Sequence, residues 1–265
     1  MRTDSQNSSP PGAGGTLRVL PGLLLRSTHT LYAGCVFTVL ALVALLGMAL
    51  LPSLRARRSL ARLTGRAALT LAGMPVSVRL PAQIPEPCIV VANHESYLDG
   101  IVLASTLPPQ FAFVIKREVA GLPLGGWLLH RLGAQFVARG QKAGSARDAL
   151  RVLRQASRGQ SLAFFPEGTF RPEPGLMRFH TGAFAAAELA NAPVLPLALF
   201  GTRRCLPPGA FLTRPGRIRV RALDLLHPHG GTHDAAALRD GAHSAIAHAI
   251  GSPEVPPGDT TGEPE

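Results

Sequence analysis

From Leu31 to Leu51 the chain runs 21 residues without a formal charge, LYAGCVFTVLALVALLGMALL. A helix over that run extends roughly 31 Å at 1.5 Å per residue, about one bilayer hydrocarbon core. Arg26 and His29 precede the run, and Arg55, Arg57, Arg58, Arg62 and Arg66 come after it within fifteen residues. The run is longer than the apolar part of a secretory signal, and arginines stand where a small-residue cleavage site belongs. A buried core helix is the soluble alternative. Two membrane readings remain: a spanning helix, or insertion into one leaflet with residues 54–73 as a basic amphipathic second helix. The arginine bias puts the rest of the chain, C-terminal to the run, on the cytoplasmic side at the inner membrane. There those arginines can meet anionic lipid headgroups.

After Pro81 short apolar runs alternate with amphipathic stretches. Residues 88–92, 111–115, 161–165, 194–200 and 218–226 read as strands, and their mostly unbroken apolar character suits strands covered on both faces. Helices are expected at about 97–107, 122–132, 144–158, 181–191 and 232–250. The alternation predicts an α/β fold, a largely parallel, mixed sheet flanked by helices, with its site near the strand C-terminal ends. A membrane helix or two-helix motif precedes it. The chain thus divides into a flexible tail (1–16), an anchoring segment (17–73), one domain (74–251) and a proline-rich disordered tail (252–265). No internal repeat is present.

Composition sharpens the picture. The 265 residues include 27 Lys+Arg against 16 Asp+Glu, a formal charge of +11, while only 16% are charged. That fraction falls below the usual quarter for soluble proteins, and the mean hydropathy is +0.19. Such hydrophobicity excludes a disordered chain. Three scattered cysteines exclude a disulfide scaffold. Surplus positive charge with surplus hydrophobicity points to a lipid surface. Nucleic acid is not an expected partner, because the basic residues flank a hydrophobic helix and aromatics make up only 5% of the chain.

Two segments carry candidate chemistry. Asn93-His94-Glu95-Ser96-Tyr97-Leu98-Asp99 leaves the first apolar strand after Pro81. Imidazole titrates near neutrality, so His94 suits a general base. A carboxylate five residues later, Asp99, can fold back through a turn, accept the other ring N–H and fix the tautomer. The nucleophile can then be a substrate hydroxyl. The bland alternative is a histidine that merely caps a helix. Phe164-Phe165-Pro166-Glu167-Gly168-Thr169-Phe170-Arg171 leaves another apolar strand. Gly168 permits a tight turn, and exposed amides with an arginine suit a phosphate.

In this order the segments resemble two blocks of the glycerolipid acyltransferase family (PlsC-type), which includes the 1-acylglycerol-3-phosphate acyltransferases. NHESYLD is similar to its NHxxxxD block and FPEGTF to its FPEGTR block. The resemblance continues through Lys116-Arg117-Glu118 with Pro123 and Gly125, and through Phe136-Val137-Ala138-Arg139. It extends to Phe179–Phe184 and to Ala192-Pro193-Val194-Leu195-Pro196, covering about residues 55–228. It implies acyl transfer from acyl-CoA or acyl-carrier protein to a lysophospholipid hydroxyl, most simply 1-acylglycerol-3-phosphate giving phosphatidic acid in phospholipid biosynthesis. It implies His94 as base, oriented by Asp99, and an acceptor surface of Lys116, Arg139, Glu167, Gly168, Thr169 and Arg171. No cofactor and no metal are implied. Phe170 stands where the family's phosphate-binding arginine usually sits, with Arg171 one position later. That keeps another lyso-lipid acceptor, a lyso-aminolipid or a lysophosphatidyl headgroup lipid, in view.

The remaining features are read more plainly. Arg147, Arg151, Arg154 and Arg158 form one helical face, solvated or docking a phosphorylated carrier or anionic lipid. His227, His229 and His233 lack the ligands that would complete a zinc set. Cys88 belongs to a buried strand, and Trp127 packs in a core or at a membrane interface. A serine hydrolase lacks its G-x-S-x-G elbow here. An inactive lipid-binding relative is the non-enzymatic alternative.

Overall fold

The computed structural model describes residues 16–138, 145–228 and 234–251. Helix α1 (Thr16–Leu50) and helix α2 (Leu54–Leu71) form a hairpin ahead of the sheet domain. The helix outruns the apolar stretch at its N-terminal side because polar residues there find partners. Thr28 and Thr30 hydroxyls donate to the Leu24 and Arg26 carbonyls at 2.9 and 2.8 Å. The His29 ring lies 2.9 Å from Thr213 Oγ1 and 3.1 Å from the Ala72 carbonyl oxygen. Ser53 caps α2, accepting the Ala56 N–H at 3.1 Å.

The domain continues as β1 (Val76–Arg79), β2 (Ile89–Ala92), α3 (Leu98–Thr106), β3 (Ala112–Lys116), a 3-10 turn (Arg117–Gly121), α4 (Gly125–Arg131) and β4 (Gln135–Val137). Then come α5 (Ser145–Ser157), β5 (Leu162–Phe164), α6 (Gly182–Ala190), β6 (Val194–Phe200), α7 (Thr202–Cys205), β7 (Ile218–Ala222) and α8 (Asp234–Ile250). The seven strands are ordered β1-β7-β6-β2-β5-β3-β4. Neighbours pair in parallel except β6 with β7, so β1 and β7 run against the rest. The mixed α/β expectation holds.

Alternation along the strands builds two cores. Val90 and Ala92 face a layer made by α1, α2 and α3, with Leu69, Val102 and Leu103 buried there. Ile89 and Val91 face α5, α6 and α8, with Val152, Phe184 and Ile246 buried there. Both faces of β2 are covered, which explains its unbroken apolar run.

Four elements differ from the sequence expectation. β1 and β4 are edge strands, and their few apolar residues do not stand out as runs. The expected helix at 122–132 is shorter, α4 over Gly125–Arg131, with the 3-10 turn ahead of it. β7 stops at Ala222, and Leu226 rejoins the sheet only as an isolated bridge to Val194.

Two arginines expected at lipid headgroups are used internally. Arg57 donates to the Leu51 and Pro52 carbonyls, both at 2.8 Å, closing the turn between α1 and α2. Arg58 donates to Leu132, Pro109 and Gln110 carbonyls at 2.9, 3.2 and 3.1 Å. Cations at helix ends and loop carbonyls satisfy acceptors that the backbone leaves open. From α4, Arg131 joins them by donating to the Met48 carbonyl at 2.6 and 3.0 Å.

Candidate active site

Strands β2 and β5 are neighbours, and their connections leave in opposite directions. From β2 the chain passes through α3 on one face to β3; from β5 it passes through α6 on the other face to β6. Diverging connections open a crevice at the C-terminal ends of such a strand pair. His94 comes two residues after β2, and Glu167 three residues after β5. The two candidate segments therefore meet at one crevice.

Within it His94 Nδ1 lies 2.8 Å from Asp99 Oδ2, the expected pair. Asp99 is fully buried in the first turn of α3, where the positive helix end favours a carboxylate. The same Oδ2 accepts the backbone N–H groups of Glu95 at 2.6 Å and Ser96 at 2.8 Å. Three bonds on one oxygen hold the turn and aim the ring. With Nδ1 engaged, Nε2 is the nitrogen left for chemistry. The His94 side chain keeps 18% of its surface open, so the ring can be reached. Phe165 stacks on it at 4.2 Å between ring centres, and Phe170 meets its edge at 4.6 Å.

Glu167 is buried and accepts two backbone N–H groups, from His94 at 2.6 Å and from Met177 at 2.8 Å. Burial pushes its carboxyl up to about 7; those two N–H bonds pull down, and the charges of Glu95 and Asp99 push up again. Asn93 ties the other side of β2 to β6, donating to the Leu199 carbonyl at 3.1 Å and accepting the Leu199 N–H at 2.8 Å. The strand end carrying His94 is thus pinned to both neighbours. Such an arrangement can take a proton from a hydroxyl brought to Nε2.

An acyltransferase family model matches residues 75–199. A lyso-ornithine lipid O-acyltransferase of Pseudomonas aeruginosa is 38% identical over 196 residues, covering 70% of this chain and 71% of that protein. The chain belongs to the PlsC-type acyltransferase family. A chloroplastic 1-acyl-sn-glycerol-3-phosphate acyltransferase of Brassica napus is 31% identical over 165 residues, 62% of this chain. The chain spans only 46% of that plant relative's length. The fold matches the crystal structure of the 1-acyl-sn-glycerophosphate acyltransferase PlsC of Thermotoga maritima. The TM-score is 0.73 at 23% identity, over 86% of this chain and 95% of that one.

The other residues that the acyltransferase blocks mark are spread around the crevice. Gly168 turns the chain at φ 78°, in the left-handed region that favours glycine. Thr169 and Arg171 are exposed on the adjoining loop. Lys116 ends β3, two strands from β2 and so about 10 Å across the sheet; its ammonium is 3.9 Å from Glu118. Arg139 lies outside the described residues, as do His229 and His233. Among the described residues no cluster of three His, Cys, Asp or Glu could hold a metal.

Two contacts at the site had no signal in the sequence. Arg203, on α7 just past β6, donates to the carbonyls of Pro172, Arg171 and Glu173 at 2.7, 2.9 and 3.0 Å. Its Nε is 4.0 Å from Glu95 Oε1. One guanidinium thus clips the loop after Phe170 to the segment bearing His94. Arg117, next to Lys116 in the same block, pairs with buried Asp148. Burial alone would raise that carboxyl, but the Ala138 N–H, Arg117 and Arg151 hold it below the usual range. Cys88 is buried, and burial pushes its thiol up to about 12, the state of an inert packing residue.

Proposed function

We propose that this acyltransferase moves a fatty acyl group from acyl-CoA or acyl-carrier protein to the free hydroxyl of a lysophospholipid, 1-acylglycerol-3-phosphate, and so forms phosphatidic acid. The observation that supports it is the 2.8 Å bond between His94 Nδ1 and buried Asp99 in an accessible crevice. Asp99 keeps the proton on Nδ1, so Nε2 carries the lone pair. Nε2 takes the acceptor's hydroxyl proton as that oxygen attacks the thioester carbonyl. The tetrahedral adduct collapses, its C–S bond breaks, and the departing thiolate takes the proton back from Nε2. Asp99 steadies the imidazolium between the two transfers.

The remaining residues take supporting roles in this reading. Glu167 and Gly168 shape the acceptor loop, while Lys116, Arg139, Thr169 and Arg171 form its polar, phosphate-facing surface. One observation favours a second acceptor class. Phe170 puts a phenyl ring against His94 at 4.6 Å and Tyr97 at 4.7 Å. It brings no charge to the place where the family uses a guanidinium for phosphate. An acceptor without a phosphomonoester, a lyso-aminolipid, fits that wall, and the Pseudomonas relative is named for such a lipid.

Membrane association rests on α1. Residues Gly22–Leu50 are long and apolar enough to cross a bilayer. Yet the helix packs on the protein along its length, from His29 bonded to Thr213 and Ala72 to the Met48 carbonyl bonded to Arg131. Contacts near both ends of the apolar run tie it to the domain and favour a position in one leaflet over a span. Leu42, Leu46 and Leu50 are instead exposed along one face, which suits burial in one leaflet, the cytoplasmic leaflet of the inner membrane, with anionic lipids around it.

The test is a panel of acyl-CoA and acyl-carrier-protein donors against lysophosphatidic acid, lyso-ornithine lipid and headgroup-bearing lysolipids. Transfer to lysophosphatidic acid supports the first reading. Transfer only to acceptors lacking a terminal phosphate supports the second. Inactivity with every pair contradicts both and favours a lipid-binding protein.

A further inference from the structure

A cavity apart from the catalytic crevice opens beside α2. It has a volume of about 540 Å³ and lies between α2, the end of α3 and the segment after β1. Its walls include Arg62 and Arg66 of α2, Val78 of β1, Ile84, and Gln110 ahead of β3. Gln110 leads into the N-terminal end of β3, whereas His94 sits past the C-terminal end of β2, which runs parallel to β3 through β5. The nine-residue α3, about 13 Å long, bridges the two ends of the sheet. The cavity and the catalytic crevice are therefore at opposite ends of the strands.

Its charge is unbalanced. Arg62 and Arg66 are one turn apart, about 6 Å between their Cβ atoms, a spacing at which like charges repel. Helix α2 contains no Asp or Glu, and none lines the cavity. Neither arginine makes a hydrogen bond or an ion pair among the described residues, in contrast to Arg57 and Arg58 on the same helix. Arg62 is half-buried, so its charge is partly withdrawn from water without a counter-charge. Two guanidinium forks opening on one polar cavity fit a phosphate, which they can grip through paired N–H donors.

Position narrows the source. Leu63 lies between these arginines in sequence and is 68% exposed, on a helix packed beside α1 with its open leucine face. Apolar side chains next to free guanidiniums match the boundary between acyl chains and headgroups. The geometry points to a second anion site, separate from the catalytic crevice, in which Arg62 and Arg66 hold the phosphate of a membrane phospholipid or of a free phosphate compound. The site is independent of which lyso-lipid is the acceptor.

The full-length protein is compared with Arg62→Gln/Arg66→Gln and with Arg55→Gln, an exposed arginine of α2 outside the cavity. Binding is measured to phosphatidylcholine vesicles with and without phosphatidic acid, and thermal unfolding is monitored against inorganic phosphate. The catalytic crevice can bind the same groups, so the relevant quantity is the part of each effect that the double variant removes. A lipid phosphate predicts that phosphatidic acid tightens binding about tenfold or more, that the double variant loses this gain, and that Arg55→Gln keeps most of it. Saturable stabilisation by inorganic phosphate that only the double variant loses, without a vesicle effect, assigns the site to a free phosphate. Equal losses in Arg55→Gln and the double variant, or no loss in either, overturn the site. The double variant should retain the wild-type kcat on dispersed substrates.

Discussion

Glu167 accepts the backbone N–H of His94 at 2.6 Å although 73 residues separate them in sequence. The bond spans the crevice between β2 and β5 and holds the main chain of His94 in place, while Asp99 holds its ring. Glu167 does this with both oxygens engaged and with burial pushing its carboxyl up to about 7. In the folded protein the group keeps its proton to about 7, and in the unfolded chain it loses it near 4.5. The folded state therefore binds more protons in that window, and stability falls as pH rises through it, by on the order of 3 kcal/mol. In Glu167→Gln this component is absent. Urea unfolding from pH 4.5 to 8 should show a steeper decline in the wild type than in the variant; parallel curves would remove the assignment.

Asp99→Asn tests the charge behind the ring. Asparagine can still accept the Glu95 and Ser96 N–H groups, so the turn persists. The same carbonyl oxygen keeps the Nδ1–H bond but carries no negative charge, so the imidazolium formed during the transfer is no longer steadied. The expected result is a loss of about 100-fold or more in kcat with little change in KM. Loss of thermal stability without loss of kcat would reduce Asp99 to a helix-end residue.

Phe170→Arg tests the acceptor wall. The substitution removes the ring contacts to His94 and Tyr97 and places a guanidinium at the family's usual position. A charged hydrogen bond to phosphate contributes about 1.5 kcal/mol or more, so kcat/KM for lysophosphatidic acid should rise about tenfold relative to lyso-ornithine lipid. An unchanged ratio of the two acceptors means that residue 170 does not read the headgroup.

Arg203→Ala tests the clip. Three carbonyls of the loop at 171–173 lose their donor, and amide hydrogen exchange over 170–177 should accelerate while the core strands stay protected. Acceptor KM should rise more than kcat falls, with partial recovery in Arg203→Lys. Equal protection in wild type and Arg203→Ala would show that the loop is held elsewhere.

How much of the fold and site is legible in the sequence depends on the kind of signal. β2 and β6 are buried on both faces, so they announce themselves as apolar runs. β1 and β4 lie at the two edges and need few apolar residues. The His94–Asp99 spacing and the Glu167 turn are legible because both depend on local sequence. The bonds from Glu167 to His94 and from Arg203 to the loop join distant segments, and nothing near Arg203 in sequence sets it apart from its neighbour Arg204. Arg57 and Arg58 look like Arg62 and Arg66. Only tertiary packing separates arginines bonded to carbonyls from those left facing a cavity.

The proposed acyl transfer depends above all on His94 Nε2 removing the acceptor's proton. The direct measurement is the initial rate of acyl transfer by His94→Ala, with the best donor and acceptor from the panel and with folding verified by circular dichroism. A general base contributes about 10²–10⁴-fold, and the folded variant should lose activity by at least the lower figure at every pH. A folded variant within a few-fold of wild type would place the base elsewhere.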